Sequence, residues 1–240
     1  MKNKEVEYLS GLLNSFDPEK YEFRLGWTEG KQIIGVVNKS NDKSLSNLYK
    51  YETFYRTLIN LDEKICYSLK KGIEYSYSDE VLNDYNMFTI SSKQEKLALY
   101  YIENAIFRTS TLWDILAQIY NIYCDIGLAN NNIYYQQFFK NKLKDVELEV
   151  KSNVGKINNY LEETENTDCE GFWKGNHEYI RTYRNQMTHR NAPEEYSFSD
   201  IGISLKSHPS LLLKRVIEDY YLATSFVDEI LQMIHKQYFE

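Results

Sequence analysis

Residues 177–193 read HEYIRTYRNQMTHRNAP, and the spacing of their apolar members decides the secondary structure. Ile180, Tyr183 and Met187 recur at steps of three and four. At about 100° per residue they lie within roughly 60° of one another on a helix. Asn191-Ala192-Pro193 ends it, since proline lacks an N–H and disfavours helical backbone just before itself. The expected helix covers 172–191. Arg184 lies about 40° from Ile180, on the border of the apolar stripe. Arg181, Asn185 and His189 follow at steps of four, roughly 100–180° away, and form a second stripe on a different surface. Cations near a helix C-terminus gain about 0.3–1 kcal/mol from the helix dipole, so the border and the second stripe fit either a solvated face or a site.

The same period organises most of the chain. Residues 3–16 form a short expected helix. From Lys43, Leu48, Tyr51, Tyr55, Leu58, Leu61, Ile65 and Leu69 mark a helix with Gly72 placed as its terminator. Ser92-Lys93-Gln94-Glu95 has capping-box spacing. It opens a helix of about 35 residues carrying two adjacent apolar stripes, the mark of a central element. A further helix is expected over 133–163, and Pro209 suits the first position of the last one. Within 21–37 a small β-hairpin is expected. With no internal repeat and no Gly/Ser linker, the expectation is one domain over 1–240: an N-terminal extension, 1–42, and a helical bundle, 43–240. The fold class is all-α, an up-and-down bundle of about five long helices.

Composition narrows the function. The 240 residues are 42% hydrophobic and 26% charged, with a net charge of −7. That balance gives a packed core and excludes a protein that coats nucleic acid through many Lys and Arg contacts. It leaves room for a small basic site on an acidic body. Three unpatterned cysteines, Cys66, Cys124 and Cys169, read as reduced thiols in a cytoplasmic protein. No secretion signal and no membrane span are expected.

Several chemistries lack their residues. No His has a Glu three positions before it, which excludes the usual helical di-iron pattern. No zinc spacing, phosphate-binding glycine loop or GxSxG occurs. No metal and no cofactor are therefore expected. His235 suits a helix end, His208 a cap or loop before Pro209, and His177 an exposed position with a secondary role near the opening motif. Glu103, Asn104 and Asp114 are expected to mark the solvent side of the long central helix; the alternative is a buried or groove-facing carboxylate, which needs a partner such as an arginine from another helix.

Arg184-Asn185 followed by His189, in the penultimate helix of a helical chain, resembles the HEPN superfamily. Its mark is Arg, a polar residue that is often Asn, and a His after four to six intervening residues. The resemblance implies a metal-independent endoribonuclease acting as a homodimer, of toxin or phage-defence type, with RNA or a nucleotide bound and an antitoxin or other protein as partner. By the resemblance, Arg184 stabilises phosphate charge, His189 is the general acid/base and Asn185 orients. Arg181 and His177 are substrate-binding candidates. The resemblance also leaves a second reading, a non-catalytic helical scaffold that binds a nucleotide or a protein.

Overall fold

The computed structural model describes residues 2–21, 43–141, 148–165, 173–189, 197–199, 202–204 and 206–239. Their elements in order are α1 (Lys2–Leu13), α2 (Lys43–Ser76), α3 (Asp79–Asp84), α4 (Lys93–Tyr123), α5 (Tyr135–Asn141), α6 (Leu148–Leu161), α7 (Asn176–His189), β1 (Ser197–Ser199), β2 (Gly202–Ser204) and α8 (Pro209–Phe239). Five of these helices have 14 or more residues, and the architecture is the expected all-α bundle. The hairpin expected over 21–37 lies outside the described residues except at Tyr21. The strands that are described form a three-residue antiparallel pair between α7 and α8, with Phe198 opposite Ile203. No helix among the described residues is long and apolar enough to cross a membrane.

The capping box opens α4 as its spacing requires: Ser92 Oγ accepts from Glu95 N–H, and Glu95 Oε2 accepts from Ser92 N–H at 2.6 Å. Both apolar stripes of α4 are used. Ile102, Ile106, Trp113, Leu116 and Tyr120 are buried on one, and Ala105, Leu112, Ile115 and Ile119 on the other. At about 1.5 Å per residue, α4 is a rod of roughly 46 Å that contacts α2, α5, α7 and α8. Helix α8 is its counterpart, with Val216, Ile217, Tyr220, Ala223, Val227, Ile230 and Ile234 fully buried. The buried apolar residues form one cluster from Leu9 to Ile234.

Helix α2 runs opposite to α4 and α8. Near its end Gly72 meets Ile102 and Leu213, while Asp62 and Cys66, further back, meet Tyr220. Gly72 was expected to terminate α2, but the helix continues to Ser76. The glycine is there for contact: a Cβ would lie 2.9 Å from Leu213 Cδ1 and 3.3 Å from Ile102 Cγ1. Three helices thus approach closely where a side chain is missing.

The helix expected over 133–163 is represented by α5 and α6, with 142–147 outside the described residues. Pro209 opens α8 as expected, and His208 caps it. Its Nδ1 accepts from Ser210 N–H at 3.2 Å and lies 2.8 Å from Ser210 Oγ.

Candidate functional site

Helix α7 enters through a fixed turn. Gly175 has φ +70°, and a Cβ there would lie 2.4 Å from the backbone nitrogen of Glu165. Both the left-handed backbone and the close approach exclude any side chain. Asn176 then donates to Trp173 O and to Glu218 Oε2, each at 2.9 Å. The next residue, His177, corrects an expectation. It is 3% exposed, held between Tyr135 of α5 and Asp219 of α8.

Asp219 gathers three donors in the core. His177 Nδ1 lies 3.1 Å and the Tyr160 hydroxyl 2.8 Å from Oδ1, and Trp113 Nε1 donates to Oδ2 at 3.3 Å. A carboxylate accepts only, so Nδ1–H donates and Nε2 is left to accept the Tyr135 hydroxyl at 2.9 Å. Burial, with Asp219 adding to it, pushes the Tyr160 phenol well above its ordinary range and raises that of Tyr135 in the same way. Both stay protonated, and both serve as donors. Trp113 stacks on Tyr135 and Tyr160 and meets the His177 ring edge at a centroid distance of 5.1 Å. Buried polar groups have to be paired, and His177, Tyr135 and Tyr160 each find a partner here.

Tyr135 carries this order outward. Its hydroxyl holds His177, while its backbone N–H bonds to Asp114 of α4. Asp114 faces Arg184 of α7. Burial raises the Asp114 carboxyl above its ordinary value, against the opposing pull of the Arg184 guanidinium and the Tyr135 N–H. Arg184 itself is half-buried and donates through Nη1 to Ser110 Oγ and through Nη2 to Asn185 Oδ1 at 3.4 Å. Asp114 was expected on the solvent side. It is half-buried and engaged instead, because α7 crosses α4 there. From His177 to Arg184, α7 advances along α4 from Trp113 to Ser110.

The other candidates separate. Ile180 and Tyr183 are buried and Met187 packs against the core, as the helical wheel requires. Asn185 is exposed. Arg181 is half-buried, donates to Gln136 Oε1 at 3.1 Å, and lies 4.0 Å from Glu178. It lines a cleft of about 390 Å³ between α5, α6 and α7, with Gln137, Asn158 and Glu162 among its walls. His189 closes α7, and its side chain lies outside the described residues. Arg184 and Asn185 are thus brought together, Arg181 sits on a neighbouring wall, and His177 is behind them in the core. Among the described residues no group of three or more His, Cys, Asp or Glu is placed to hold a metal ion.

Sequence reasoning missed Ser110, Tyr135 and Asp219. Asp219 carried a signal: it falls three after Val216 and four before Ala223, on the apolar stripe of α8, where a carboxylate needs a polar partner. Ser110 and Tyr135 carried none, since nothing in their spacing distinguishes them from packing residues.

No solved structure matches the chain. A MATH and LRR domain-containing protein of Plasmodium falciparum is 24% identical over 181 residues, which is 65% of this chain and 2% of that protein's length. The match to the Cthe2314-like HEPN family covers residues 53–238, from α2 through α8 and including Arg184, Asn185 and His189. The chain belongs to that family.

Proposed function

We propose that this protein is a metal-independent endoribonuclease, acting as a homodimer, with Arg184, Asn185 and His189 as its catalytic residues. The observation that carries the reading is the setting of Arg184. Its guanidinium is half-buried, held by Ser110 and Asn185 and faced by Asp114. It sits a little over one turn before His189 in a helix anchored by a buried histidine. A guanidinium fixed in this way offers a rigid fork of donors to phosphate oxygens.

RNA supplies its own nucleophile. The 2′-hydroxyl oxygen attacks the adjacent phosphorus, the bond to the 5′-oxygen of the next nucleotide breaks, and a 2′,3′-cyclic phosphate remains. His189 takes the 2′-hydroxyl proton or gives one to the leaving oxygen, since imidazole titrates near neutrality. Arg184 stabilises the charge on the pentacovalent phosphorus. On one helix the two residues are about 140° apart, so two copies of α7 facing a shared cleft bring them together most simply. The toxin or defence setting, and an antitoxin-type partner, rest on the family.

The test is incubation with RNA in EDTA, followed by analysis for 2′,3′-cyclic phosphate ends. Such ends from the wild type, lost in His189→Ala and Arg184→Ala, support the reading. Equal background from wild type and His189→Ala ends it. The second reading, a non-catalytic scaffold, draws on the same contacts: Arg184 already has intramolecular partners. On that reading all three proteins leave RNA intact.

A further inference from the structure

We propose that the exposed face of α4 is a track for single-stranded RNA that leads to Arg184. The six residues that carry it are Lys93, Lys96, Tyr100, Asn104, Phe107 and Arg108. At about 100° per residue they fall within roughly 120° of one another, opposite the two buried stripes. Tyr100 is 58% exposed and Phe107 45%, unusual for rings on so well packed a helix. They are seven residues, about 10 Å, apart along the axis. Ser110, the partner of Arg184, lies one turn past Phe107. The track therefore ends at the candidate site, and α7 itself advances toward Phe107 as it runs from His177 to Arg184.

The Tyr100 ring is held by its neighbours. Tyr101 meets Tyr100 edge-on at 5.2 Å, stacks on Tyr75 at 5.7 Å, and meets the exposed Tyr67 at 6.2 Å. Lys71 lies 5.9 Å over the Tyr75 ring. Asn104 and Arg108 are fixed too: Asn104 donates to Tyr100 O at 2.8 Å, and Arg108 donates to Asn104 Oδ1 at 2.9 Å. Any base has a face that stacks on such rings, while cations alongside follow the backbone.

Charge selects RNA as the occupant. The chain carries −7 overall, yet this stripe sets Lys93, Lys96 and Arg108 against Glu103 alone, since Arg184 faces Asp114. A second copy is the rival occupant. Two-fold packing of the stripe on itself would bring the lysine end of one α4 against the arginine end of the other, setting like charges together.

The proposal takes its destination from the nuclease reading, but its test is separate. Binding of a fluorescein-labelled 2′-O-methyl oligouridine of about twelve nucleotides, which has no free 2′-hydroxyl, is followed by anisotropy. Tyr100→Ala and Phe107→Ala are each expected to weaken binding about ten-fold, while Tyr100→Phe binds as wild type. Lys93→Gln/Lys96→Gln should flatten the salt dependence by about 1.4 units of slope, roughly 0.7 for each lost contact to a single strand. Unchanged affinity in both alanine variants overturns the track, whether or not the protein cleaves RNA. A ten-fold loss supports it even where no RNA is cut and the nuclease reading has fallen. Alanine variants that change the oligomeric state by light scattering, with RNA affinity intact, assign the face to a second copy and also overturn it.

Discussion

His177 Nδ1 lies 3.1 Å from Asp219 Oδ1 in the core, and His177 is seven residues before Arg184, on the same face of α7. The two ends of this face are linked through Tyr135, whose hydroxyl serves the histidine and whose N–H serves the aspartate opposite the arginine. Asp219→Ala strands three donors, whereas His177→Ala strands one, the Tyr135 hydroxyl, and leaves a cavity. Buried groups left unpaired cost about 1–3 kcal/mol each, and the costs in one network do not add. The expected order in urea denaturation is therefore Asp219→Ala, at about 4 kcal/mol, worse than His177→Ala, at about 2 kcal/mol. The reverse order would show that the histidine, and not the carboxylate, is the hub.

Lys206 and Glu95 form a buried ion pair at 2.9 Å, with side chains 3% and 6% exposed. Glu95 also closes the α4 capping box, and the Lys206 ammonium lies 5.2 Å over the Tyr85 ring. Removing one partner leaves the other charge buried and alone, at about 3–5 kcal/mol. Lys206→Met is expected to cost that much. Adding Glu95→Gln to it should recover part of the loss, because the amide still accepts from Ser92 N–H without a charge to satisfy. Thermal melts of the two single variants and the double variant give the coupling.

His208 gives the fold a pH dependence. Burial lowers its pKa, although a hydrogen bond donated by the ring to the Val81 backbone carbonyl and the charges of Glu95 and Glu5 act the other way. The unfolded ring keeps its ordinary value of about 6.5. Its stabilisation is thus complete above pH 6.5 and is lost as pH falls through the lower folded value, where protonation takes the lone pair that accepts from Ser210 N–H. His208→Asn keeps a side-chain acceptor and removes the titration. Over pH 7 to 5, the wild type should lose stability more steeply than this variant. Parallel curves would mean the cap does not titrate in that window.

How much of this was legible depended on whether a signal was local. Periodicity placed α2, α4, α7 and α8 because each buries a stripe, and the Ser92 capping box and Pro209 set two helix starts by chemistry within one turn. Gly72 was misread because a glycine that ends a helix and one that admits a neighbouring helix look identical without the third dimension. His177 was misread for a related reason: its partners Tyr135 and Asp219 are each 42 residues away, and no local pattern joins them. Within the candidate site, Arg184 and Asn185 came from the motif. That Ser110 holds Arg184 and Asp114 faces it came only from the crossing of α7 over α4.

Those supports make the last expectation graded. Ser110→Ala removes the hydroxyl to which Arg184 donates, at about 1 kcal/mol or less of stability. If Arg184 acts on phosphate only when its fork is correctly aimed, loosening it should slow RNA cleavage roughly ten-fold, since small misplacements of a catalytic group are costly. Arg184→Lys keeps the charge but loses the planar fork, and cleavage should fall further, on the order of a hundred-fold. Rates of cyclic-phosphate formation should then rank wild type, Ser110→Ala, Arg184→Lys, with melting temperatures nearly equal. A lysine variant as fast as wild type would mean that Arg184 contributes charge alone. Equal rates in all three proteins would remove Arg184 from the chemistry and leave it as a contact between α7 and α4.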